Sequence, residues 1–235
     1  MSLLRYIIDK SVNILGYLLK NRKIGNPRKK SDGYVCVNLG CGLAVAPGWV
    51  NIDASLNALF AGSPVILLNI LYSISGANRY YSKEVYCSLL RENDFVFHDL
   101  SRSLPFKSES VDYFYSSHFF EHLFQADAIN LLREMKLALK KSGIIRLAVP
   151  DLNYAISLYK SDEKCGMLEN YFFVNDLSSY LARHKYMYDF EILSKLLIDL
   201  GYKNIKRCDF GEGCVPDLKQ LDNRPNDTLF VEATR

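Results

Sequence analysis

The chain of 235 residues contains one tryptophan and four histidines, and it lacks any apolar run long enough to cross a bilayer. Its six cysteines (Cys36, Cys41, Cys87, Cys165, Cys208 and Cys214) form no Cys-x-x-Cys pair with matching histidines, so the usual signature of a zinc site is missing. Cys36 and Cys208 lie inside apolar strand patterns, where a free thiol behaves as a small hydrophobe. Reduced thiols and the absence of a small-residue cleavage site after the first helix point to the cytoplasm. No internal repeat or low-complexity tract appears, and the length suits one domain with a sizeable core.

Neither sign of charge dominates, but the formal net charge of +3 is unevenly placed. Residues 1–30 hold eight Lys/Arg against Asp9, while the remainder holds 21 basic and 25 acidic residues. A mildly acidic body with a basic arm is unlike a nucleic-acid-binding domain, so no nucleic-acid partner is expected. Residues 3–19 read as an amphipathic helix, with Leu4, Ile7, Ile8, Val12, Leu15, Leu18 and Leu19 opposite Arg5, Asp9, Asn13 and Lys20. Its apolar face has two uses: packing on the domain, the commoner fate, or peripheral contact of residues 1–30 with the inner face of an anionic membrane. Asn26-Pro27 and Arg28–Lys30 mark a basic linker, and residues 31–235 form the main domain.

Within that domain strand and helix alternate. Tyr34–Leu39, Trp49–Asp53, Phe95–His98, Val111–Tyr115 and Ile144–Val149 read as buried strands. Gln125–Lys140 reads as a helix closed by Lys140, Lys141 and Gly143, Asp151 caps another running to about Lys160, and Asp189–Leu200 is a third. Asn204–Phe210 and Thr228–Thr234 are both strands, yet residues 211–227 show no helical period. Parallel neighbours need a crossover, usually helical, so these two strands pair antiparallel. The expected fold is α/β: a doubly wound seven-stranded, mostly parallel sheet with a reversed last strand.

The chemistry-bearing residues fall at strand ends. Gly40-Cys41-Gly42 makes a tight exit from the first strand that lets backbone amides approach a ligand. A nicotinamide fingerprint wants a third glycine where Val45 stands, and an acid further on than Asp53. Asp53, ending the second strand, can accept from both ribose hydroxyls of an adenosine or merely cap the next segment. Asp99-Leu100 after the third strand would face an adenine amino group or only stabilise a turn. Ser116-Ser117-His118 and Glu121-His122 leave the fourth strand at the switch point of the sheet. Histidine titrates near neutrality and suits proton removal from an acceptor, which makes His118, then His122 with Glu121, the candidate bases.

In combination, Val37–Gly42 (VNLGCG), Gly48–Asp53 (GWVNID), His98–Leu100 (HDL), Ser116–Leu123 (SSHFFEHL), Leu139–Asp151 (LKKSGIIRLAVPD) and Tyr186–Tyr202 resemble the successive motifs of class I S-adenosylmethionine-dependent methyltransferases. More narrowly they resemble a small bacterial group often associated with surface-polysaccharide biosynthesis. The resemblance spans about residues 34–234 and implies a Rossmann-like methyltransferase fold using S-adenosylmethionine and releasing S-adenosylhomocysteine, with no metal. It implies that Leu39, Gly40, Cys41 and Gly42 bind the cofactor, with Gly40 and Gly42 lining the methionine moiety, Asp53 the ribose, and Asp99 with Leu100 the adenine. Ser116, Ser117 and His118 would lie near the transferred methyl. The implied reaction is O-methylation of a carbohydrate, free or lipid-linked, or of another small acceptor. Two alternatives stand beside it, a non-catalytic nucleoside-binding or partner subunit and a nicotinamide-dependent oxidoreductase.

Two departures accompany the resemblance. Asn38 stands where many relatives have aspartate. Only residues 43–48 separate Gly42 from Trp49, too few for a crossover helix, whereas residues 54–94 form an insertion whose apolar Leu56–Ile74 stretch is expected to fill the vacated place. The aromatic-rich stretch within about 152–186, with Tyr154, Tyr159, Tyr171, Phe172, Phe173, Tyr180 and His184, is either an acceptor lid or ordinary packing.

Overall fold

The computed structural model describes residues 3–25, 27–161, 163–172 and 183–235. The strands β1 (Cys36–Leu39), β2 (Val50–Asp53), β3 (Asp94–Phe97), β4 (Val111–Ser117), β5 (Leu139–Pro150), β6 (Lys203–Cys208) and β7 (Thr228–Thr234) form one sheet in the order β3-β2-β1-β4-β5-β7-β6. β1 to β5 run parallel, and β7 is antiparallel to both β5 and β6. This is the expected doubly wound, mostly parallel α/β sheet with a reversed last strand.

The helices among the described residues are α1 (Leu3–Leu19), α2 (Leu56–Phe60), α3 (Val65–Ser75), α4 (Lys83–Glu92), α5 (Gln125–Ala138), α6 (Leu152–Lys160), α7 (Lys164–Met167), α8 (Phe190–Asp199) and α9 (Leu218–Leu221). Caps follow the sequence: Asp151 accepts from the Asn153 amide and Asp189 from that of Ile192. One face of the sheet carries Val37, Leu39, Ile52, Phe114 and Ile145 against Leu131, Leu132 and Met135 of α5 and Leu193 and Leu197 of α8. β6 is the edge, and its exposed Lys203 and Lys206 keep that edge polar.

The other face differs from expectation. β1 and β2 pair in parallel although only residues 40–49 join them. Fully buried Trp49, with Val215, Leu218 and Leu221 from the β6–β7 connection, packs on Cys36 and Tyr115 where a crossover helix would lie. The insertion packs farther out, with Leu68 and Leu71 of α3 against Tyr86 and Leu90 of α4 and the half-buried Leu43. The C-terminal loop, rather than Leu56–Ile74 alone, therefore covers the vacated place. That loop also contains the single turn α9, which the aperiodic sequence did not indicate.

Two boundaries move. Helix α5 stops at Ala138 with no glycine, and Lys140, Lys141 and Gly143 belong to β5 instead of closing a helix. The reason is local: Leu139 already pairs with Val111, the Lys140 ammonium reaches Asp112 at 2.7 Å, and a Cβ on Gly143 would lie 3.1 Å from the Asp112 carbonyl oxygen.

Helix α1 packs on the domain. Val12, Ile8 and Leu15 meet Ala58 of α2 and Phe97 of β3, while Gly16 lies against Asp99. The linker after it is engaged as well: Lys23 donates to the Leu104 carbonyl, Arg28 pairs with Asp94 and Lys30 with Asp217. No helix among the described residues is long and apolar enough to cross a membrane.

Candidate functional site

β1, β2 and β4 end side by side, since Leu39 pairs with both Ile52 and Ser116. Open α/β sheets bind ligands beyond the carboxyl ends of their strands where chain order reverses, here between β1 and β4. Gly40 leaves β1 with φ +63°, and the amides of Gly40 and Cys41 donate to the Ile52 carbonyl at 2.9 and 3.2 Å. Gly42, at φ +52°, donates its amide to Asp53 Oδ2 at 2.9 Å, so the turn is built around this carboxylate. A Cβ on Gly42 would meet no atom within 4 Å, whereas one on Gly40 would lie 2.2 Å from Phe119 Cγ. Gly40 is required both for its dihedral and for the Phe119 ring that lies on it.

Asn38 explains itself through the short β1–β2 connection. It is buried, and its Nδ2 donates to the Ala44 carbonyl at 2.8 Å and to Asn51 Oδ1 at 3.1 Å. An aspartate could make neither bond, because an ionised carboxylate only accepts.

β4 runs into a 3-10 turn, Phe120–His122. His118 has φ 49°, uncommon for a non-glycine residue, while its amide still reaches the Ala148 carbonyl at 2.8 Å. Backbone strain of this kind clusters at functional turns. The turn directs Glu121 inward, where its side chain is 1% exposed, with Oε1 3.4 Å from His118 Nδ1 and 3.8 Å from His122 Nε2. Neither carboxylate oxygen receives a hydrogen bond among the described residues. Burial alone would raise the Glu121 carboxyl, but the His118 and His122 imidazoles outweigh it and hold it below its ordinary value. His118 Nε2 lies 3.0 Å from Thr228 Oγ1 on β7. The His122 and His184 rings lie 5.1 Å apart between centroids, tilted at 56° to each other. Burial depresses the proton affinity of His184, the carboxylate of Glu121 opposing this only in part.

The structure therefore brings Gly40, Cys41, Gly42, Asp53, His118, Glu121 and His122 to the carboxyl ends of β1, β2 and β4. Other predicted positions are engaged elsewhere. Leu39 and Leu100 point into the core. Ser116 Oγ donates to the Leu39 carbonyl at 3.1 Å, and Ser117 Oγ reaches Asn223 Oδ1 at 3.5 Å. Asp99 accepts from the Ser101 amide and hydroxyl and pairs with Arg102 at 2.8 Å, the turn-stabilising role.

Of the aromatic stretch, Tyr154, Tyr159 and Phe172 are exposed, and Tyr171 is buried with its hydroxyl 3.2 Å from Asp227 Oδ2. Phe173 and Tyr180 lie outside the described residues. Sequence reasoning gave no role to Phe119, although it lies within the Ser116–Leu123 motif, missed Thr228, and grouped His184 with the aromatic stretch only. A separate cavity of about 410 Å³ lies at the opposite ends of β2 and β3, lined by Ile24, Arg28, Val50, Arg91 and Asp94.

The family model of the methyltransferase domain matches residues 65–147, from α3 through most of β5. The match leaves out the glycine turn and Asp53. No curated protein sequence matches. Among solved structures, a SAM-dependent methyltransferase from Archaeoglobus fulgidus is 16% identical, with 98% of this chain and 94% of that one covered and a TM-score of 0.47. A possible exported protein of Bordetella parapertussis is also 16% identical, covering 96% and 67%, with a TM-score of 0.49. A SAM-dependent methyltransferase of Thermotoga maritima, described as a possible histamine N-methyltransferase, is 14% identical, covering 95% and 90%, with a TM-score of 0.48. The methyltransferase-domain model thus matches only part of the chain, from the insertion to the fifth strand of the doubly wound sheet.

Proposed function

We propose that the chain transfers a methyl group from S-adenosylmethionine to a hydroxyl acceptor, a carbohydrate or similar small molecule. The observation that carries this reading is the convergence, at the carboxyl ends of β1, β2 and β4, of a glycine turn wrapped on Asp53 and a buried carboxylate set between two imidazoles. The residues fit the cofactor: open space lies beyond Gly42, and Asp53 uses one oxygen on the Gly42 amide, leaving the other for a ribose hydroxyl. Asp99, braced by Arg102 and roofed by α1 at Gly16, would border the adenine.

S-adenosylmethionine supplies an electrophilic sulfonium methyl, so the protein's task is alignment, exclusion of water and removal of the acceptor proton. His118 is assigned the proton, with Glu121 orienting the ring and stabilising its charged form, and His122 completes the cluster. Thr228, now 3.0 Å from Nε2, occupies the position an acceptor hydroxyl would take. The sugar acceptor rests on the motif resemblance and on exposed Tyr154, Tyr159 and Phe172, since aromatic faces suit sugar rings.

One observation favours a second reading. The Phe119 ring covers Gly40, where the methionine moiety would run, as in a partner subunit that keeps the fold without catalysis. Incubation of the full chain with labelled S-adenosylmethionine and a panel of sugar and amine acceptors separates the two. Labelled product with a hydroxyl acceptor supports the enzyme. Absence of product with every acceptor, from a chain that binds the cofactor, supports the second reading.

A further inference from the structure

We infer that Glu121, His122 and His184 form a binding site for one divalent transition-metal ion of the zinc type. A carboxylate oxygen of Glu121 and one ring nitrogen from each histidine lie within 4.8 Å of one another. Four observations support the assignment.

The Glu121 side chain is 1% exposed, and apart from the His118 and His122 rings at 3.4 and 3.8 Å neither of its oxygens is hydrogen-bonded by a described residue, so a cation has a buried anion to bind. Both histidines have their tautomer set by the protein. His184 Nδ1 lies 2.7 Å from the Tyr171 carbonyl and His122 Nδ1 lies 3.3 Å from the Arg183 carbonyl. A carbonyl oxygen only accepts, so each Nδ1 carries the proton and each Nε2 keeps its lone pair. Metal-binding histidines are held in just this way, with the second nitrogen donating to a carbonyl or carboxylate.

The backbone under the site is also fixed, since the Lys185 and Tyr186 amides donate to the Glu121 carbonyl and Lys185 Nζ to that of His122. Two imidazoles and one carboxylate suit zinc and its first-row neighbours better than magnesium or calcium, which prefer oxygen throughout. Ligands of a shared ion at ~2.0–2.1 Å sit roughly 3–3.5 Å apart, so side-chain rotation over little more than an ångström closes the site. Three protein ligands leave a position for water or an acceptor oxygen, and the ion would tie residues 183–186 to the turn after β4. The site stands whether or not the chain transfers methyl groups.

The test is titration of the metal-free full chain with CoCl2, read by visible absorption, then competition with ZnCl2, with MgCl2 as comparison. One equivalent of Co2+ giving d–d bands, displaced by Zn2+ and not by Mg2+, is expected. His184→Ala and Glu121→Gln should each weaken binding by about 100-fold or more, beyond the 10–100-fold typical of losing an outer-shell partner. The Cys165→Ser/Cys214→Ser double variant, which removes the two exposed thiols, should bind like the parent. Far-UV circular dichroism of each metal-free variant checks folding, and Zn2+ should raise the melting temperature of the parent but not of His184→Ala. No Co2+ or Zn2+ binding by the folded parent overturns the assignment, as does binding retained in folded His184→Ala and Glu121→Gln or lost in the thiol double variant.

Discussion

Glu121 Oε1 lies 3.4 Å from His118 Nδ1 inside the turn that follows β4, with the carboxylate 1% exposed. A buried carboxylate so placed orients an imidazole and favours its protonated form, as in hydrolase triads. His118→Asn suits the left-handed backbone at φ 49° while removing the base. It should lower kcat for a hydroxyl acceptor by roughly 10²–10⁴-fold and leave cofactor affinity within a few-fold of the parent. Unchanged kcat contradicts the assignment.

Acid should destabilise the fold in two stages. Burial holds the His98 and His184 imidazoles below their ordinary 6.5, so each gains a proton on unfolding. Their contribution is full above pH 6.5 and declines as pH falls below it toward the folded-state values. Glu121, held below 4.5, contributes fully above that pH, and its share is lost as pH falls through its folded-state value. Urea midpoints measured from about pH 7.5 to about pH 2 should drop first below neutrality and again below about pH 4.5. A flat profile across that span contradicts this account.

Arg146 on β5 and Asp222 form a salt bridge of 2.5 Å with neither side chain exposed, and Glu232 stands 3.4 Å from the same guanidinium. Arg146 also donates to the carbonyls of Asp209 and Glu212, so it pins the β6–β7 loop that covers β1. Arg146→Met leaves Asp222 buried without its cation and Glu232 with Lys206 alone, and the expected loss is about 3–5 kcal/mol in urea unfolding. A loss under about 1 kcal/mol would show that the network is dispensable.

Gly16 gives an inverted helix substitution. Alanine in place of glycine within an exposed helix gains about 1 kcal/mol. A Cβ here would lie 2.8 Å from Asp99 Cβ, so α1 must lift from the domain. Gly16→Ala should lower the melting temperature, whereas a rise would mean that α1 does not dock as described.

Much of the fold was legible because it rests on local rules. The reversed β7 followed from the lack of helical period in residues 211–227, and the strand-end positions of Asp53 and Ser116 to His118 followed from the apolar runs that precede them. What stayed hidden depends on contacts between distant segments. Arg146 sits in an apolar run and reads as an ordinary strand residue, although its partner Asp222 lies across the sheet. Asn38 read as a lost charge, yet it serves as an amide donor to a loop carbonyl. His184 gained meaning only once the chain returned it to Glu121 and His122. Phe119 sits within the Ser116–Leu123 motif, but its place on Gly40 emerges only from the left-handed turn at His118.

The proposed binding of S-adenosylmethionine by the turn around Asp53 is open to direct measurement. Calorimetric titration of the full chain with S-adenosylmethionine, S-adenosylhomocysteine and NADH, repeated on Asp53→Ala, tests it most directly. The account predicts binding of both sulfur nucleosides and not of NADH, with affinity lost in a variant that remains folded. A folded parent chain that binds neither sulfur nucleoside, or an Asp53→Ala variant that binds them equally well, would contradict it.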